Sequence, residues 1–217
     1  MKTCLVLGRN SDIYHGIRPM LESDGWSLVE RGRGDSARDL PPWNLCIITM
    51  GRVAPVGHWW DLDIAEFREC FDSNLLTPWG LLRDAWQYRA PDATVIWFSG
   101  SNPQIIMDGY APYNAAKMAV NKLIEQLDHE TPDAKFVAFA PGYVRDSKIH
   151  RATIEKGWPN PRIARGDAGN SMATIYRAMK WCIEQPKQVV GGRNVCASDV
   201  PFDFPLHDSF KLRRVGR

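Results

Sequence analysis

The chain has 217 residues, 44% hydrophobic and 24% charged, which is enough apolar material for one well-buried core and too little length for two comfortable domains. A formal net charge of +2, with acidic and basic residues interleaved, leaves no electrostatic footprint for nucleic acid or a membrane surface. A small molecule is therefore the expected partner, and with no apolar run near the roughly 18 residues that span a bilayer and no signal-peptide pattern, a cytoplasmic protein is expected.

Apolar runs and helical patterns alternate along the chain. "KTCLVL" (2–7) reads as a first strand, Ile13 to Ser23 as a helix, "WSLVER" (26–31) and "NLCIIT" (44–49) as strands, and 63–89 as one long helix. "TVIWFS" (94–99) is the next strand, followed by a helix from about Pro112 to His129, the strand "KFVAFA" (135–140), a helix over 168–185 and a last strand near "RNVCAS" (193–198). Strands separated by helices predict an α/β fold: a doubly wound parallel sheet in three α/β/α layers, with ligands beyond the carboxyl ends of the strands. Between "LVER" and "NLCIIT" only about a dozen residues remain, so one βα unit is abbreviated there, reduced to an extended segment around Arg38 to Leu40. One domain over 1–217 is expected, with a substrate lid at about 143–166, where Gly157, Pro159, Pro161 and Gly166 mark a mobile loop.

Cys4, Cys46, Cys70, Cys182 and Cys196 stand singly in apolar stretches without a C-x-x-C pattern, and read as buried thiols. The histidines are scattered as well, so no metal site is expected. The strongest chemical signal is "YNAAK", in which Tyr113 and Lys117 share one helical face; the ammonium favours the phenolate and suits the tyrosine to general acid/base work. The preceding strand ends in Ser99 and Ser101, 14 and 12 residues ahead of Tyr113, and Asn74 lies within the long helix before it.

The ordered pieces "LVLGRNSDI", "IITMG", "FDSNLL", "VIWFSGS", "YNAAK" and "PGYV" resemble a short-chain dehydrogenase/reductase over nearly the whole length. The ending "GGRNVCASDVPFD" with "KLRRV" is similar to a bacterial subgroup associated with sugar or polysaccharide genes. The resemblance implies a Rossmann-like fold and an NAD(P)-dependent oxidoreductase acting on a carbonyl/alcohol pair, with a sugar or nucleotide sugar as one substrate class. It assigns Tyr113 to proton transfer, Lys117 to lowering its pKa and holding the nicotinamide ribose, Ser101 or Ser99 to the carbonyl oxygen, and Asn74 to a positioning water. Of the two serines Ser101 is favoured, because it lies further beyond the strand.

Gly8, Asn10, Ser11, Asp12 and Ile13 would form the phosphate turn, Met50 and Gly51 the next loop, and Pro141, Gly142 and Val144 the wall beside the nicotinamide. In that turn Asp12 is expected to cap the helix, with its carboxylate pointing away from the pyrophosphate. Tyr14 falls where the family has its third glycine, and its ring is expected to turn outward or push the helix away. Arg31 and Arg33, helped by Arg9, favour NADP with NAD possible, while Glu30 is the counterweight. A homodimer or homotetramer through the helices of Asn74 and Tyr113 is implied by the resemblance alone. Two other readings stand beside the enzyme: a dinucleotide sensor without catalysis, and a pteridine-type reductase.

Overall fold

The computed structural model describes residues 2–100, 107–145 and 147–199. Its strands carry the apolar runs: β1 (Thr3–Leu7), β2 (Ser27–Arg31), β3 (Trp43–Ile48), β4 (Arg89–Phe98), β5 (Lys135–Ala140) and β6 (Asn194–Cys196). All pair in parallel in the order β2-β1-β3-β4-β5-β6. Every residue of β1 and β5 is buried, as parallel strands covered on both faces require, which is why they read as unbroken apolar runs.

Alternation along the strands divides the core into two layers. Cys4, Val6, Leu45, Ile47, Val137 and Phe139 face the helices α1 (Asp12–Ser23) and α7 (Met172–Glu184), which contribute Ile17, Leu21, Ile175 and Met179. Leu5, Leu7, Cys46, Ile48, Val95 and Trp97 face α3 (Thr77–Ala85) and α4 (Ala111–Glu130), which contribute Leu81, Leu82, Val120 and Ile124. As the sequence predicts, residues 32–42 form neither helix nor strand; Ala37 and Leu40 fold back into the second layer. Among the described residues no helix is long and apolar enough to cross a membrane. Cys4, Cys46, Cys70 and Cys182 are buried free thiols, while Cys196 is only half-buried.

The expected single helix over 63–89 is interrupted. It divides into α2 (Ile64–Phe71), a π turn at Asp72–Leu76 and α3, with Thr77 N–H reaching back to the Asp72 carbonyl. Pro78 explains the widening: it has no N–H for the carbonyl of residue 74, and its ring crowds that carbonyl. The remaining helices are α5 (Lys148–Glu155), α6 (Pro161–Ala164) and α8 (Lys187–Val190).

Two lysines close helix ends that would otherwise leave buried carbonyls without donors. Lys187 donates to the carbonyls of Asp128, Thr131 and Ala134 at 2.6, 2.9 and 2.6 Å at the end of α4. Lys135, buried on β5, donates to the carbonyls of Cys182, Ile183 and Gln185 at 2.9, 2.8 and 2.5 Å at the end of α7. Replacing Lys135 by methionine strips a charged donor from those acceptors, and urea denaturation is expected to show a loss of about 2 kcal/mol.

Candidate active site

A cavity of about 570 Å³ lies at the carboxyl ends of β1, β3, β4 and β5, where the strand order reverses between β1 and β3. Its walls come from Gly8 to Ile13 after β1, Thr49 to Gly51 after β3, Ser99 and Gly100 after β4, and Pro141 to Val144 after β5. Residues of α5 and α6 close its other side.

Gly8 adopts φ +124°, and a Cβ there would stand 2.6 Å from Thr49 Oγ1 and 2.8 Å from Met50 N. Glycine is thus required for β1 and β3 to run out side by side. Two expectations for this turn are corrected. Ser11, not Asp12, caps α1, accepting from Tyr14 N–H at 3.5 Å. The Asp12 carboxylate instead bridges to α5, accepting from Lys148 N–H at 2.5 Å with Lys148 Nζ at 3.3 Å.

Tyr14 does not turn outward. Its ring is fully buried in the layer of Ile17 and Leu21, and its hydroxyl donates a short hydrogen bond to Glu30 of the edge strand β2. A phenol is tolerated where a glycine was expected because the edge strand offers a carboxylate at its tip. Burial, then the bond to Glu30, raises the pKa of Tyr14.

Tyr113 and Lys117 both line the cavity from the first turns of α4. Lys117 is buried; its Nζ donates to the Phe98 carbonyl at 2.9 Å and stands 5.7 Å from the Tyr113 ring centroid. Burial pushes its pKa down from 10.5 to about 8. Contrary to the lowering expected from Lys117, burial raises the Tyr113 phenol, with smaller contributions from Cys70 and Tyr110. The phenol is therefore protonated at neutral pH.

Asn74 sits inside the π turn, fully buried. Its Nδ2 donates to the carbonyls of Arg52 at 2.7 Å and Cys70 at 2.8 Å. It does not form part of the cavity wall, but Gly51 brings it close: a Cβ on Gly51 would lie 2.9 Å from Asn74 Oδ1 and 3.4 Å from Lys117 Nζ. Ser99 lines the cavity, but its hydroxyl donates to Asn121 Oδ1. Ser101 lies outside the described residues.

Sequence reasoning missed Asn121, although it stands one helical turn beyond Lys117, at the same i, i+4 spacing that picks out Tyr113 and Lys117. It also missed Asn170, whose Nδ2 donates to the Pro141 carbonyl at 2.8 Å and fixes the "PGYV" wall. The segment carrying α5 and α6 is pinned at two further points. Tyr143 hydroxyl meets His150 Nε2 at 2.9 Å, and Tyr110 hydroxyl donates to the Trp158 carbonyl at 2.8 Å.

At the far end of the cavity the arginines divide. Arg31 does not line it; its guanidinium donates to the carbonyls of Ser36 at 2.7 Å and Glu30 at 2.9 Å. Arg9 and Arg33 do line it, with Gly32 between them. Glu30 is held by Tyr14 and, at 3.1 Å, by Arg18.

No family model matches the chain. An uncharacterized oxidoreductase of Schizosaccharomyces pombe is 30% identical over 99 residues, 45% of this chain and 40% of that protein. A small-chain dehydrogenase solved with NADPH superposes with a TM-score of 0.77 at 17% identity, covering 90% of this chain and 95% of that one. The fold is that of the short-chain dehydrogenases/reductases. The Thermoplasma acidophilum aldohexose dehydrogenase, at TM-score 0.74 and 16% identity over 94% and 97% of the two chains, shares this dehydrogenase/reductase fold. So does a short-chain dehydrogenase/reductase of Saccharomyces cerevisiae, at TM-score 0.73 and 14% identity over 92% and 97%.

In a chain of this fold the buried lysine has a measurable signature. Below about pH 8 Lys117 is charged in both folded and unfolded chains, and the folded state bears the full cost of burial. Between about 8 and 10.5 the unfolded chain holds the extra proton, so that cost fades as pH rises. The stability of Lys117→Met relative to wild type is therefore expected to fall by about 2 kcal/mol between pH 7 and 9.5, measured by urea denaturation of both proteins.

Proposed function

We propose that the protein is an NADP-preferring oxidoreductase acting on a carbonyl/alcohol pair, with Tyr113 as general acid/base. The observation that carries this reading is the pairing of Tyr113 with the buried Lys117 in the wall of a cavity that opens from a glycine turn. The residues present fit a dinucleotide: the turn from Gly8 to Ile13 lines the cavity where β1 runs into the N-terminus of α1, and Arg9 and Arg33 add positive charge to its wall. Bound there, the nicotinamide cofactor supplies the hydride.

The chain's own residues do the rest. Tyr113, protonated at neutral pH, gives its phenolic proton to the carbonyl oxygen as that oxygen gains charge. The Lys117 ammonium, fixed by the Phe98 carbonyl, stabilises the resulting phenolate. Asn74 and Gly51 hold the floor beneath Lys117, and Ser99 or Ser101 orients the carbonyl. Asn170 keeps the "PGYV" wall in place by holding Pro141.

A sugar or nucleotide sugar is the proposed substrate class. Arg162 and Arg165 line the same cavity, suiting an anionic or polyhydroxylated ligand, and Arg165 has no ion-pair partner among the described residues. One protein of the same fold is an aldohexose dehydrogenase. We also propose a homodimer or homotetramer. Leu76 and Trp79 are 54% and 39% exposed on the π turn and α3, beside α4, and a second copy would cover them. Light scattering is expected to give at least twice the chain mass, and Leu76→Glu is expected to lower it; a monomer at micromolar concentration contradicts this.

Tyr113→Phe is expected to lower kcat by about a thousandfold with a panel of aldoses and nucleotide sugars while leaving NADPH binding within about twofold. Reductase activity of the wild type is expected to decline above about pH 8, as Lys117 loses its proton. Unchanged turnover in Tyr113→Phe would remove the proton-transfer role.

A further inference from the structure

We propose that Asp35 is a specificity-determining residue that competes with the ligand for Arg9. Its carboxylate holds that guanidinium in the free protein, and a phosphate on the ribose 2′ position must displace it. This rests on the dinucleotide reading of the cavity. Because residues 32–42 contain no helix, the chain turns sharply after β2, and Asp35 returns to the tip of that strand: its N–H donates to the Gly32 carbonyl at 3.2 Å. One oxygen, Oδ2, accepts from Gly32 N–H at 2.6 Å and pairs with Arg9 NH1 at 2.7 Å. Gly32 makes this possible, since a Cβ there would come 3.2 Å from Arg9 Nε and 3.5 Å from Asp35 Oδ2.

Two other charged groups nearby are committed elsewhere. Glu30 is bound by Tyr14 and Arg18, and Arg31 by two carbonyls. Arg9 therefore meets one carboxylate at the edge of the cavity, with Arg33 exposed beside it. The Arg9 side chain is 47% exposed and that of Asp35 26%, so the pair is weak and exchangeable. A dianionic phosphate offers Arg9 a stronger, bidentate partner, but it enters against the charge that Asp35 retains. Asp35 thus limits the preference for the 2′-phosphorylated cofactor, whereas a ligand lacking that phosphate leaves the pair intact.

The test is fluorescence titration of NADPH and NADH against wild type, Asp35→Asn and Asp35→Ser, each checked for an unchanged melting midpoint. The amide oxygen of Asp35→Asn still accepts from Gly32 N–H, so the turn is kept. The expected result is roughly three- to tenfold tighter NADPH binding in the variants, with NADH changed less than about twofold. Weaker NADPH binding would mean that Asp35 positions Arg9, weaker NADH binding that it accepts from the ribose 2′-hydroxyl, and no change that it is a bystander; each overturns the inference while the dinucleotide reading survives. A wild-type protein that binds neither dinucleotide overturns that reading, and the inference falls with it.

Discussion

Everything at the candidate site depends on holding the Lys117 ammonium largely out of water in the cavity wall. The cost is visible in its lowered pKa, and among the described residues the carbonyl of Phe98 offsets part of it. That carbonyl is available because β4 ends at Phe98, leaving a strand terminus aimed at α4. Gly51 has no side chain to separate Lys117 from Asn74, and the π turn before Pro78 carries Asn74 into the gap. The end of β4, the Gly51 loop and the π turn thus converge on one charge carried by α4.

The end of the cavity at Arg9 and Arg33 obeys a different constraint, the sorting of charges at the edge of the sheet. Tyr14 looks like damage to a phosphate turn, yet it ties Glu30 to the underside of α1 with Arg18. In the proposed NADP site this ties down a carboxylate that would otherwise oppose a 2′-phosphate. Asp35 takes its place in a weaker form, bound to Arg9 across Gly32. Shortening the segment after β2 is what brings Asp35 there, so the abbreviated βα unit carries a chemical consequence as well as a topological one.

The six strands and the long helices between them were legible because buried parallel strands are written as unbroken apolar runs and those helices as amphipathic ones; the break in the second helix and the short helices α5, α6 and α8 were not. Tyr113 and Lys117 were legible through their spacing at the start of a helix following a strand. The direction of Tyr14 was not, because the partner that admits its ring, Glu30, lies on another element and carries no local signal. The capping role went to Ser11 and not Asp12 for a related reason: Lys148, remote in sequence, draws the Asp12 carboxylate away. The π turn was written in the sequence as Pro78 four residues after Asn74, a pattern that propensity reads only as a bend. Arg31 and Arg33 are indistinguishable by composition, and only the backbone carbonyls around Arg31 separate them.

The central claim, that a dinucleotide lies in this cavity with its reactive ring against Tyr113, is tested most directly by a crystal structure of the protein grown with NADP⁺. The account requires the pyrophosphate at Gly8 to Ile13, the nicotinamide ring against Tyr113 and the "PGYV" wall, and the 2′-phosphate between Arg9 and Arg33. A dinucleotide bound elsewhere, or one whose nicotinamide points away from Tyr113 and Lys117, would contradict it.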